Sequence, residues 1–265
     1  MQRVCHLMLL TVLGGCAAAG TAGHGAQPSG TAAQWTDSAR RLIDAGVIRE
    51  NRALVGEGRA LAERALTQSP GDPLLLHYQG YALYREAGLA WDGDEAMVPP
   101  LLREAERLLS QSLERRPLAE TAALLARIQG YMSALYPRLA ADLGAKARGY
   151  RAEAERLGSG NPRVWLLRGQ GSFYTPELHG GGMTNAEQQL GRAVDLFRED
   201  APPALLPSWG KAETYAWLGQ LYARSGRVAD ARAAYETALE LEPDYAWARD
   251  SLRALAASVP GERQP

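Results

Sequence analysis

One spacing near the C-terminus limits what this chain can fold into more than any other feature. Tyr215, Leu218, Gly219 and Tyr222 share one face of a helical stretch, and Ala231, Tyr235 and Ala238 share one face of a second, followed by Pro243. Gly219 lets a paired helix come close, Ala231 and Ala238 accept that helix's large side chains, and Pro243 ends the second helix. A helix pair of this design is one unit of a stack, so the same register is expected upstream.

It recurs there more loosely. In residues 39–72, Gly46, Ala65 and Pro70 take the equivalent places, and Gly80 takes them in the unit that starts at Pro73. Ala105, Ser112 and Pro117 fit that unit only after an insertion around Trp91–Pro100. Residues 120–161 are degenerate but keep Ala147 and Ala154, and Asn161-Pro162 opens a unit containing Trp165, Gly169, Ala186, Leu190 and Ala193. The expected fold is all-α: a right-handed solenoid of about five helix pairs, covered by a C-terminal capping helix near 244–258.

The period of about 34 residues and its signature positions resemble the tetratricopeptide repeat (TPR). Further strings, Asn161-Pro-Arg-Val-Trp-Leu-Leu-Arg-Gly169, Tyr174-Thr-Pro-Glu-Leu-His-Gly-Gly-Gly182, Pro207-Ser-Trp-Gly-Lys211 and Tyr215-Ala-Trp-Leu-Gly219, resemble a group of exported bacterial TPR lipoproteins. A fainter likeness, of architecture alone, is to the T component associated with TRAP transporters. The resemblance implies the fold and says hardly anything of the function.

Composition removes several function classes. The 46% apolar content excludes a collagen-like or wholly disordered chain. With 29 Lys and Arg against 30 Asp and Glu, and no block of like charges, nucleic acid has no basic surface to bind. The only His residues beyond residue 15, His24, His77 and His179, are isolated, and no metal, calcium-loop or nucleophile-elbow pattern is completed. Neither catalysis nor a cofactor is expected. Asp92–Glu95 reads as an exposed loop with a helix N-cap.

The N-terminus gives an address. Leu13-Gly14-Gly15-Cys16 follows a short apolar run and resembles the bacterial lipobox, so residues 1–15 read as a lipoprotein signal peptide and Cys16 as the lipid attachment site. An ordinary secretory signal cleaved near Ala17–Ala19 is the alternative. Residues 16–34 read as a flexible tether, 35–258 as the repeat domain and 259–265 as a disordered tail. The expected location is the cell envelope, facing the periplasm, with the outer membrane favoured over the inner.

Inward positions of the first helix of each pair supply the candidate binding residues. They are His77, Tyr81, Tyr84 and Arg85, then Arg163, Gln170, Phe173 and Tyr174, then Glu213, Gln220 and Arg224. Aromatics beside Arg and Gln suit a peptide or small-ligand groove, unless the rings merely fill gaps between units. The Lys/Asn clamp of chaperone-binding relatives, which captures a terminal carboxylate, is absent. His179-Gly180-Gly181-Gly182 reads either as a loop whose backbone approaches a ligand, conceivably phosphate, or as a tight turn before a helix capped by Thr184. Trp209 reads as an interaction anchor or as a lid on the adjacent repeat.

The leading expectation is a membrane-tethered scaffold for a protein or peptide partner. A small-ligand accessory of a transport system is the alternative, and a closed apolar cavity beside Tyr174 and Trp209 would favour it. The insertions at 87–98 and 174–183 both lie between the helices of a pair and should share an edge, with 200–210 on the other.

Overall fold

The computed structural model describes residues 30–91 and 93–258. Cys16, the signal segment and the tail at 259–265 lie outside the described residues. Eleven α-helices occur among those described: α1 (Ala32–Ile48), α2 (Arg52–Gln68), α3 (Pro73–Ala90), α4 (Val98–Arg115), α5 (Ala119–Leu135), α6 (Ala140–Gly158), α7 (Pro162–Tyr174), α8 (Met183–Phe197), α9 (Lys211–Arg224), α10 (Val228–Leu241) and α11 (Ala246–Ser258). They pack as the pairs α1/α2, α3/α4, α5/α6, α7/α8 and α9/α10, and α11 covers the last pair. The architecture is the right-handed TPR-like solenoid read from the sequence.

The repeated Gly and Ala positions are where paired helices touch. A Cβ on Gly80 would stand 2.7 Å from Leu109, on Gly169 2.7 Å from Leu190, and on Gly219 2.6 Å from Tyr235. Leu109, Leu190 and Tyr235 are each flanked by small buried residues: Ala105 and Ser112, Ala186 and Ala193, Ala231 and Ala238. Ser112 stands where the other units have Ala, and its hydroxyl donates to the Pro73 carbonyl at 2.8 Å, so a polar residue is tolerated at a fully buried contact. Asp72 caps α3 through the Leu74 and Leu75 amides, and Asn161 caps α7 through the Arg163 amide, each ahead of a proline in the first turn.

The first helix corrects the tether boundary. It starts at Ala32, inside the stretch read as flexible through residue 34, because Thr31 and Gln34 form a capping box. Trp35 and Ala39 are buried against Ala62, Ala65 and Leu75. Asp94 is a second correction: it offers α4 no side-chain cap and instead pairs with Arg52 at 3.3 Å.

The solenoid curls until its ends meet. Arg49 at the end of α1 pairs with Asp244 before α11 at 3.0 Å, and Arg85 on α3 pairs with Glu213 on α9 at 2.9 Å. The α8–α9 connection runs into the enclosed space. Its Leu205 carbonyl accepts from the Tyr78 hydroxyl at 2.7 Å and its Ser208 hydroxyl accepts from Arg40 at 2.8 Å. Pro202, Pro203 and Pro207 stiffen this segment, and Leu205 sits at a left-handed φ of 70°.

Candidate functional site

The interior of the curl has two halves. In the half nearer the unit-to-unit connections, the 198–210 segment fills the space: Trp209 stacks on Tyr81 with ring centroids 5.1 Å apart, and Tyr81 lies 6.3 Å from the parallel ring of His77. In the other half a cavity of about 1260 Å³ stays open. Its walls are the inward faces of α3, α5, α7 and α9, the exposed turn after Tyr174 and one face of α6, with Val47 and Glu50 at the end of α1 and Tyr245 and Trp247 at the start of α11.

Two aromatic clusters line that cavity. Tyr84, Trp91 and Tyr131 stand on one side, with Tyr131 at 6.0 Å from Tyr84 and 5.3 Å from Trp91. Tyr174, Trp217 and Trp247 stand on the other, at 6.0 and 5.2 Å between successive centroids. Arg85, Arg127, Arg148, Arg151 and Arg168 also face it, against the carboxylates Glu50, Glu155 and Glu213. Glu213 binds both Arg85 and the Gln170 amide, and Glu155 pairs with Arg168. Among the described residues that leaves Arg127, Arg148 and Arg151 without an ion pair.

The candidates from the sequence divide accordingly. Tyr84, Arg85, Gln170, Tyr174, His179 and Gln220 meet in the cavity, and Tyr174 is 61% exposed at its mouth. Trp91 and His179 line the same cavity, so the 87–98 and 174–183 turns come to one place, as their positions between paired helices require.

Others are corrected as contact residues. His77 is fully buried, its Nδ1 2.8 Å from the Thr121 hydroxyl, and burial lowers its pKa to about 3, so the ring is neutral. Tyr81 is equally buried, and Trp209, at 8% exposure, is a lid and not an exposed anchor. Arg163 is buried on Asp200. Phe173 is buried against Trp217. Arg224 is exposed over the Phe173 ring at 5.1 Å, outside the cavity lining.

The three glycines of the loop form a closed turn. The Gly180 amide donates to the Glu177 carbonyl, the Gly181 amide to that of Pro176, and the Gly182 amide to those of Ser172 and Thr175, so the glycine amides themselves are engaged within the turn. The glycines are needed for the turn itself, since a Cβ on Gly181 would stand 2.1 Å from the Thr175 carbonyl oxygen. Gly182, at φ 94°, occupies the cap position of α8 in place of Thr184, which lies in the first turn.

Comparisons with known proteins agree with the fold. Residues 212–245 match the Tetratricopeptide repeat family model. The fold is a TPR solenoid. A thermophilic TPR protein of Thermus thermophilus superposes with a TM-score of 0.55, at 23% identity over 84% of this chain and 99% of its own. The HusA haemophore of Porphyromonas gingivalis gives 0.57, at 23% identity over 72% of this chain and 94% of its own. The Cut9-Hcn1 complex of the APC/C gives 0.51 at 14% identity, covering 87% of this chain and 42% of that one. At these identities the likeness concerns the fold alone. Among curated proteins no sequence matches.

The sequence reading passed over Arg127, Arg148, Arg151, Tyr131, Trp217 and Trp247. For Arg148 and Arg151 a signal existed: Gly144, Ala147, Arg148, Arg151, Ala154 and Glu155 recur at helical spacing along one face of the degenerate unit. Among the described residues no three His, Cys, Asp or Glu side chains cluster as metal ligands.

Asp44, on α1 facing the filled half of the interior, predicts a pH effect. Burial pushes its carboxyl up to about 7 despite Arg40 at 3.6 Å. An unfolded Asp ionises near about 4, so between those two values folding takes up a proton and stability falls as pH rises. Asp44→Asn should remove that slope and be the more stable form above neutrality. Urea midpoints of both proteins measured across this pH window check it; parallel curves would contradict it.

Proposed function

We propose that this chain is a binding protein of the bacterial cell envelope, held to a membrane by lipid on Cys16, that takes a peptide segment of a partner protein into the cavity between α3, α5, α6, α7 and α9. The cavity carries the reading. Its volume of about 1260 Å³ exceeds the roughly 300–1,000 Å³ of small-molecule sites, and it opens past exposed Tyr174 and His179. Rigid aromatic walls interleaved with Arg and Gln suit the side chains and backbone of an extended peptide. A closed apolar chamber beside Tyr174 and Trp209 would have favoured a small ligand; the cavity is bordered by Tyr174 but not by Trp209, it is open at exposed Tyr174, and arginines and glutamates share its walls with the aromatics.

The anchor rests on Leu13-Gly14-Gly15-Cys16. No described helix is long and apolar enough to cross a membrane. A photocrosslinking residue placed at Tyr174 or Gln220 in cells should trap a discrete protein adduct, whereas the same residue at Arg232, exposed on α10, should not. Cys16→Ser should move the chain from the membrane to the soluble exported fraction. Equal trapping at all three positions would overturn the peptide reading, and unchanged membrane association would overturn the anchor.

A further inference from the structure

We propose that the captured segment is acidic, and that its side-chain carboxylates sit on Arg127, Arg148 and Arg151 in the gap between α5, α6 and α7. This rests on the peptide-binding reading above and names what the peptide must carry.

The gap is a departure from regular stacking. In the other units the second helix packs broadly on the first helix of the next unit; α6 packs on α5 and barely touches α7. Its Ala140, Gly144 and Ala147 therefore form a floor of small residues along the cavity, on which Arg148 and Arg151 stand. Arg127 projects from α5 into the same space.

Arg127 is the most telling member. It is 6% exposed, and its Nε and Nη2 have no hydrogen-bond partner among the described residues. Burial works against its charge, while the Tyr131 ring, 4.4 Å below the guanidinium, and the Tyr131 and Tyr84 side chains favour the cation without supplying a counter-ion. The nearby carboxylates are already engaged, Glu155 by Arg168 and Glu213 by Arg85. Arg127 lines the cavity beside two positions without side chains: a Cβ on Gly130 or Gly171 would come to 3.7 or 3.9 Å from its Nη1, the nitrogen a carboxylate would meet first. Burial, and the like charges of Arg168, Arg148 and Arg127, hold Arg151 below the usual arginine range.

Mutually repelling guanidinium groups in a cleft match a carboxylate, which accepts two parallel N–H bonds from one fork. Tyr131 and Trp91 beside them offer a platform for an apolar or aromatic neighbour in the same segment.

The test pans the full chain, carrying Cys16→Ser, against random peptides displayed without a free C-terminus. The selected sequences should carry two or more Asp or Glu beside an aromatic residue. The synthetic, C-terminally amidated form of a selected sequence should bind in fluorescence anisotropy. Arg148→Gln or Arg151→Gln, on a half-exposed helix where folding is not at stake, should weaken it about tenfold or more, as should Asn or Gln in the peptide. Arg127→Met should abolish binding yet raise the melting temperature of the ligand-free chain, the reverse of what a structural arginine would do.

Selected peptides without acidic residues, variants that bind like the parent, or a lowered melting temperature for Arg127→Met would overturn this proposal while leaving peptide capture intact. Binding that requires a free C-terminus would also overturn it, moving the carboxylate from side chain to chain end. Enrichment of no peptide, with citrate or inorganic phosphate bound instead, would overturn both readings.

Discussion

Leucine at position 219 is expected to destabilise the chain by about 2–4 kcal/mol, because the added side chain has nowhere to go. Even a Cβ at Gly219 would meet three atoms of the Tyr235 ring at 2.6–2.9 Å. That ring is 1% exposed, is flanked by Ala231 and Ala238, and has its hydroxyl 3.1 Å from the Gln220 side chain, so it cannot swing away cheaply. For a domain of this size the loss corresponds to roughly 4–16 °C in melting temperature. The control is Gly191→Ala on α8, where a Cβ meets nothing within 4 Å and replacing a helical glycine should be neutral or stabilising. Thermal unfolding followed by circular dichroism distinguishes the two. A Gly219→Leu protein melting with the parent would mean that α9 and α10 do not meet at this contact.

That contact also explains why the fold was legible. Gly80, Gly169 and Gly219 are imposed by helix-to-helix distance within a pair, and the alanines opposite them by the volume left over. Both are local demands that a spacing of residues records directly. Ser112 and the insertions at 87–98 and 174–183 disturb the pattern without hiding it, since an extended turn leaves the paired faces in register.

The site was legible only in part, for two physical reasons. How far a solenoid curls depends on the sum of small rotations between units, which no single spacing records. His77 and Tyr81 occupy inward positions as expected, but the curl brings Arg85 to Glu213 and admits the 198–210 segment, so those rings became packing surface. The second reason is α6. Its unit departs from the register, and the departure is what opens the cavity to Arg148 and Arg151. A degenerate repeat read as a weak copy turned out to be the wall with the most unpaired charge.

The same logic gives the largest expected effect in the filled half of the interior. Arg163, 1% exposed, binds the Asp200 carboxylate through both terminal nitrogens at 3.1 and 2.6 Å and lies over the Phe197 ring at 5.4 Å. It ties the start of the α8–α9 connection to α7, and that connection carries Leu205 to Tyr78 and Trp209 to Tyr81. Arg163→Ala should cost about 3–5 kcal/mol, because it leaves the Asp200 charge inside without its partner as well as a void beneath Phe197. Backbone amides of 198–210 should then exchange hydrogen much faster, while those of α5 and α6, which do not depend on this tie, keep their protection. Arg163→Met with Asp200→Leu should recover most of the loss, since an apolar pair of similar volume avoids both the desolvation and the orphaned charge. If the double variant is no better than Arg163→Ala, the guanidinium is holding the segment through contacts other than Asp200, and the Phe197 stacking becomes the tie to remove next.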